Sequence, residues 1–173
     1  MGLNRLAPAL RWADTLSEAG GRVAAALAVA LVALSFGLVL ARYGAGAGSV
    51  AAQEAVLWLH ASVFLLGLAY ALRHGAHVRV DVFSQHWTAR TRDWVEFSAG
   101  VALLLPFCAF IVAMSWDYVA ASWAAREGSR DPGGLPAWYL LKALIPLSAA
   151  LLFLQGLAET LRALGRALAR GGA

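Results

Sequence analysis

Long apolar runs separated by short polar stretches dominate the chain. Four of these runs reach the length of roughly 20 residues that a helix needs to cross the hydrocarbon core of a bilayer. They are rich in leucine and alanine and lack polar–apolar alternation, which favours helices over a β-barrel. The pattern predicts transmembrane helices at about 22–43, 50–73, 94–125 and 137–163. We therefore expect an all-α integral membrane protein with one membrane domain over residues 1–173.

The segment before the first run has a different pattern. In residues 4–19, apolar side chains recur at helical spacing while charged side chains occupy the other faces, and Trp12 suits the headgroup boundary. This predicts a short amphipathic helix lying on the membrane surface. Its acidic residues argue against a secretory signal peptide. We expect the Gly20-Gly21 pair to break this helix before the chain enters the bilayer.

Composition supports the membrane interpretation. The hydrophobic fraction is 61% and the charged fraction 14%. The first is higher and the second lower than in typical soluble globular proteins. The formal charge is +4, but the arginines lie at the ends of apolar runs, where they act as topology signals and contact anionic membrane lipids. Basic and aromatic residues are not interleaved, so we expect no nucleic-acid partner. Cys108, the single cysteine, is expected to pack as a small hydrophobe.

The distribution of cations predicts the orientation. Ten Lys and Arg residues are expected on one side of the membrane and four on the other, so the positive-inside rule places both termini in the cytoplasm. The ten are Arg5, Arg11, Arg22, Arg73, Arg79, Arg90, Arg92, Arg162, Arg166 and Arg170, and the four are Arg42, Arg126, Arg130 and Lys142. The last three of the ten are spaced by four residues and would form one basic face.

The polar junction after the second run contains the sequence His77-x-Arg79-x-Asp81. In an extended segment these three side chains would lie on one side and the intervening valines on the other. His74 and His77 could share a helical face, but a third metal ligand is missing nearby. A nucleophile and an oxyanion site are missing as well, so we interpret the junction as a structural polar cluster and predict no catalytic, substrate-binding or metal site.

A few polar residues fall within or near the predicted spans, where such residues are functional candidates by default. Glu54 and Lys142 lie towards the outer side and are expected to contact either a partner subunit or each other. Asp117 and Glu159 are interpreted as structural. His60 is expected to hydrogen-bond a neighbouring helix or a partner. The alternative is a haem ligand in a small cytochrome-b-like redox subunit, although a second histidine at matching depth is missing.

Several short motifs occur in an order that resembles a known family. They are Arg42-Tyr43, Gln53-Glu54, His77-x-Arg79-x-Asp81, Lys142-Ala143-Leu144-Ile145-Pro146-Leu147 and Leu154-Gln155-Gly156. Over roughly residues 41–162 the chain resembles the small membrane (Q-type, DctQ-like) subunit of tripartite ATP-independent periplasmic (TRAP) transporters.

The resemblance implies a non-catalytic scaffold subunit, without a cofactor, of a sodium-coupled, binding-protein-dependent importer in a bacterial inner membrane. Its partners would be a large multi-spanning transport subunit and a periplasmic solute-binding protein. The polar residues expected at the subunit interface or in a structural cluster are Arg42, Glu54, His77, Arg79, Asp81 and Lys142, and those expected to dock the binding protein are Arg126, Glu127, Arg130 and Asp131. Gln53-Glu54 followed by Trp58-Leu59-His60 is similar to members that carry organic or 2-oxo acids and mannitol-like solutes. A third hypothesis is a self-sufficient channel or transporter formed by homo-oligomerisation.

Overall fold

The computed structural model describes residues 3–76 and 86–170, with side chains described from residue 7 onwards. The regular structure of these ranges is helical throughout. It comprises α1 (Leu3–Ala45), α2 (Val50–Arg73), α3 (Ala89–Ala99), a π-helical turn (Gly100–Leu104), α4 (Leu105–Ala124) and α5 (Trp138–Ala169).

Four of the described helical segments are long and apolar enough to cross a membrane. They are Ala7–Ala45, Val50–Arg73, Ala89–Ala124 and Trp138–Ala169. The third combines α3, the π-helical turn and α4 into one span. The predicted all-α class with four candidate membrane helices is therefore confirmed.

The predicted break at Gly20-Gly21 is wrong, because α1 continues through both glycines. Gly20 lies against the backbone carbonyl of Leu66, and a Cβ at Gly21 would overlap the ring of Tyr70. The two glycines therefore allow α1 and α2 to approach closely, and this packing outweighs their low intrinsic helix propensity. At 43 residues α1 is about 65 Å long, roughly twice the hydrocarbon thickness. The segment expected on the membrane surface is thus the first part of one long helix.

The third span contains a local irregularity just before Pro106. Proline has no backbone N–H and crowds the preceding turn, so the regular hydrogen-bond ladder cannot continue through it. The chain widens into the π-helical turn Gly100–Leu104 directly ahead of the proline. A Cβ at Gly100 would overlap the side chain of Thr160, and one at Gly156 would approach Leu104 closely. The widened turn therefore lies where the third span packs closely on α5.

Helix α5 is the centre of the bundle, because it packs against α1, α2, α3 and α4. Helix α1 packs in addition along α2. Contacts of Asp14 near the start of α1 with Arg73 at the end of α2 and Arg162 near the end of α5 bring both chain ends together. We call this the terminal end of the bundle. The opposite, loop end carries the α1–α2 connection and residues 125–137.

Candidate functional site

A buried glutamine is the hub of the polar network at the terminal end. The side chain of Gln155 is 0% exposed. Its Nε2 donates to Asp14 Oδ1 at 3.2 Å and to Glu159 Oε1 at 3.0 Å. Its Oε1 accepts from Ser17 Oγ at 2.8 Å. All polar atoms of this buried amide are therefore engaged, and they join α1 to α5.

Two arginines surround this hub and bring α2 into the network. Arg162 Nη2 lies 2.6 Å from Asp14 Oδ2, and Arg162 Nη1 lies 2.7 Å from Glu159 Oε1. From the end of α2, Arg73 Nη1 donates to the backbone carbonyl of Asp14 at 2.7 Å. The same nitrogen lies 3.1 Å from Glu18 Oε1. We call these residues, with Gln155 and Ser17, the terminal-end network; it connects three helices through charge-assisted hydrogen bonds.

A second cluster at this end fastens α3 to α5. Asp93 is 5% exposed and pairs with Arg166 Nε at 3.0 Å and with Arg170 Nη1. Arg166 Nη2 also lies 2.9 Å from Glu96 Oε2. Arg166 and Arg170, together with Arg162, form the basic face predicted from their spacing. Carboxylates of the same chain pair with all three arginines, so this face helps to hold α1 and α3 on α5.

At the loop end, Glu54 holds the connection between α4 and α5. Its side chain is buried, at 6% exposure, and accepts hydrogen bonds from Ser129 Oγ and from the backbone N–H of Leu135 at 2.6 Å. Ser129 N donates to Leu135 O at 3.0 Å and closes the loop. A Cβ at Gly134 would overlap both Ser129 and the Glu54 carboxylate. The loop is thus folded around a carboxylate supplied by α2.

Lys142 has a different partner at the same end. Its Nζ donates to Glu127 Oε2 and lies 4.2 Å from the centre of the Tyr118 ring, a cation–π geometry. Ser122 Oγ donates to the same carboxylate oxygen at 2.7 Å. The hydrogen bond from Lys142 holds the pKa of the Glu127 carboxyl below its ordinary value. Glu54 and Lys142 therefore do not pair with each other; each binds the α4–α5 loop separately.

The remaining predicted site residues fall into two groups. His77, Arg79 and Asp81 lie outside the described residues, and their roles stay predictions. Arg42 is exposed in the last turn of α1, and the predicted docking residues Arg126, Arg130 and Asp131 are exposed on the α4–α5 loop. The fourth predicted docking residue, Glu127, is less exposed than these three.

Sequence reasoning missed the terminal-end network. Ser17 and Glu18 follow Asp14 by three and four residues, so all three lie on one side of α1. The sequence predicts a separate surface helix here, whereas in the structure this face packs against α2 and α5. The signal that could have predicted it is the opposite charge of Asp14 and Glu18 on α1 and of the arginines at positions 73 and 162.

His60 is exposed on α2. Within residues 3–76 and 86–170, its imidazole forms no hydrogen bond or ion pair. His74 lies 14 residues further along the sequence at the end of α2, which at the helical rise is about 21 Å away. These two histidines are too far apart to bind one haem iron.

Comparison with known proteins gives a family. The family model described as "Tripartite ATP-independent periplasmic transporters, DctQ component" matches residues 31–166. No curated protein matches significantly. The matched region runs from the middle of α1 through α2, α3 and α4 to near the end of α5; it includes the loop end of the bundle, but not the part of α1 that carries Asp14, Ser17 and Glu18. The family match and the four apolar helices confirm the resemblance, and the chain belongs to the DctQ component family of tripartite ATP-independent periplasmic transporters.

Proposed function

We propose that the protein is the non-catalytic scaffold subunit of a sodium-coupled, binding-protein-dependent importer of organic acids in a bacterial inner membrane. The observation that carries the proposal is the family match over residues 31–166. It implies a larger transport subunit and a solute-binding protein as partners. Sodium coupling and the solute class rest on the resemblance described above, including the Gln53-Glu54 motif.

The distribution of polar groups supports a static role. A subunit that carries sodium and an acid across the bilayer needs several oxygen or cationic ligands that converge within the membrane. In the described part of the chain, the buried Glu54 and Asp93 lie at opposite ends of the bundle and are bonded to other residues of this chain. Such groups lock helices to one another and are poorly suited to releasing a ligand.

We propose that the terminal end faces the cytoplasm and the loop end faces the periplasm. The excess of arginine at the terminal end supports this orientation through the positive-inside rule. It would expose Arg126, Arg130 and Asp131 to the periplasmic binding protein. Labelling with an impermeant maleimide in a Cys108→Ala background tests it. A cysteine at Gly48 should react in intact spheroplasts, and a cysteine at Ala173 should react only after lysis; the reverse pattern would overturn the orientation.

Reconstitution tests the scaffold role. Liposomes containing the large subunit with and without this chain are supplied with the binding protein, a labelled 2-oxo acid and an inward sodium gradient. We expect uptake only when both membrane subunits are present. Liposomes that contain this chain alone should show none. Uptake by this chain alone would support the homo-oligomeric transporter instead, and full uptake by the large subunit alone would refute the scaffold role.

A further inference from the structure

One face of α2 is left uncovered by the rest of the described bundle. Leu57, His60, Phe64 and Gly67 follow one another at intervals of three or four residues, the spacing of a single helical face. Leu57 is 59% exposed and Phe64 is 64% exposed. Helix α2 packs against α1 and α5 through other positions, such as the buried Ala69. We call these four residues the His60 face.

The depth of His60 makes this face unusual. Ten residues separate it from Val50 at the start of α2, which corresponds to about 15 Å along the helix. That distance is half of a hydrocarbon core of about 30 Å, so the imidazole lies near the middle of the bilayer. Lipid tails offer no hydrogen-bond partner, and polar side chains in membrane spans accordingly face protein or water. An acyl chain is therefore a poor match for this face.

The exposed face of α1 provides a comparison within the same molecule. Val29, Val32 and Phe36 are 72%, 69% and 64% exposed, and all are apolar. This surface suits lipid without any further partner. The exposed face of α2 therefore differs from that of α1 because it carries a polar group at mid-membrane depth.

A glycine about two turns from His60 on the same face would permit close helix packing. A Cβ added to Gly67 meets no atom within 4 Å, so the absence of a side chain there serves no contact inside the subunit. Gly67 is followed four residues later by Ala71, the small-xxx-small spacing at which transmembrane helices approach closely. Gly37 on α1 is equally open but has no polar neighbour at that depth on its exposed face.

We propose that the His60 face is the surface on which a transmembrane helix of the large transport subunit packs, with the imidazole of His60 hydrogen-bonded to a polar group of that helix. This inference rests on the proposed function, because the family match supplies the partner. The match covers all of α2. The partner helix would cross close to Gly67 and cover Leu57 and Phe64.

Co-purification of the two membrane subunits tests the proposal. The chain carries a C-terminal tag and is co-expressed with the large subunit, and the ratio of the two proteins is measured after mild extraction. We expect His60→Leu to weaken association by roughly three- to twentyfold, the range that measured hydrogen bonds between membrane helices span. His60→Asn, which retains a donor and an acceptor, should recover part of this loss. Gly67→Leu should also reduce recovery of the large subunit, whereas the matched Gly37→Leu should not.

The outcomes distinguish a failure of the proposed function from a failure of the His60 face as the interface. If the wild-type chain does not recover the large subunit, the proposed function fails. If the wild type recovers it and both His60→Leu and Gly67→Leu, correctly folded, recover it equally well, the His60 face is not the interface. An equal loss in Gly37→Leu would also overturn the assignment. Phe64→Cys in a Cys108→Ala background should cross-link to cysteines of the large subunit; a homodimer as the main product would identify a second copy as the occupant and overturn the proposal.

Discussion

Replacing Asp14 by asparagine should weaken the bundle at its terminal end. The substitution keeps the size of the side chain but removes the charge that lies 2.6 Å from Arg162 Nη2. The hydrogen bond from Arg73 to the Asp14 backbone carbonyl does not involve the side chain and is retained. The change therefore removes one carboxylate charge, which contacts Arg162 on α5 and lies 3.6 Å from Arg73 Nε on α2.

The structure bounds the size of the effect. The side chains of Asp14 and Arg162 are 20% and 29% exposed. Their pair should therefore contribute more than a fully exposed ion pair, at about 0–1 kcal/mol, and less than the 3–5 kcal/mol that is lost when one partner of a buried pair is removed. Arg162 also keeps its contact with Glu159, which limits the loss. We expect a destabilisation of about 1–2 kcal/mol.

Cys108 provides the assay. It is 1% exposed and is the only cysteine in the chain, so a maleimide should label it only when the bundle opens. Pulse labelling across a titration with denaturing detergent gives the fraction unfolded, and Asp14→Asn should shift the midpoint downwards. Asp117→Asn is the matched control, since Asp117 is exposed and has no partner among the described residues.

A double-mutant cycle with Arg162→Gln separates the pair from its surroundings. If the two residues interact as the structure indicates, the double variant should lose less stability than the sum of the single losses, by about 1 kcal/mol. Losses that add within about 0.3–0.5 kcal/mol would refute the reasoning. So would an Asp14→Asn variant that unfolds at the wild-type midpoint. Either result would mean that packing around Gln155, and not the ion pair, holds this end together.

Three further predictions concern close packing and the loop. Gly21→Leu should lower the unfolding midpoint in the Cys108 assay because its side chain would overlap α2, whereas Gly37→Leu on the open face should not; equal effects would contradict the packing. Gly134→Ala should increase hydrogen exchange in residues 125–137, whereas Gly128→Ala, with only an ordinary contact at 3.9 Å, should leave it unchanged. Folding lowers the pKa of Glu127. The contribution of its carboxylate to the stability of the loop is therefore complete above the unfolded pKa of about 4.3 and is lost as the pH falls through the lower folded pKa. The protection factors of the loop amides, which correct for the intrinsic pH dependence of exchange, should therefore stay constant from pH 7 to about 5 and fall once the pH drops below the unfolded pKa. Glu127→Gln should reduce that fall.

The spans were predictable because their signal is local and long. Around twenty apolar residues in sequence identify a membrane helix without any knowledge of its neighbours. The continuity of α1 was not predictable in this way. A Gly-Gly pair usually marks a break, and only the approach of Leu66 and Tyr70 shows that here the two glycines serve helix packing.

The polar networks were even harder to predict from the sequence. Gln155 and Arg162 meet Asp14 across 141 and 148 positions of the sequence, and nothing in a local pattern specifies such a contact. Glu54 and Lys142 were predicted to need polar partners, but the partners found, Ser129 and Glu127, lie in a loop whose path depends on the turn at Gly133. The sequence indicates which buried polar residues need hydrogen-bond partners, but the identity of those partners depends on the tertiary structure.

The placement of polar groups suggests how stability and partner recognition are separated in this subunit. Ionic contacts at both ends bind the helices of one chain to each other, where partial access to water lowers the cost of bringing charges together. At the depth inferred for His60, near the membrane centre, a single unpaired polar group is most costly, and the described residues leave the face that carries it uncovered. A partner that supplies the missing hydrogen bond at that depth is favoured over one that offers only apolar surface. If the large subunit packs on the His60 face as proposed, an imidazole that has no partner among the described residues would discriminate between the correct large subunit and other membrane helices.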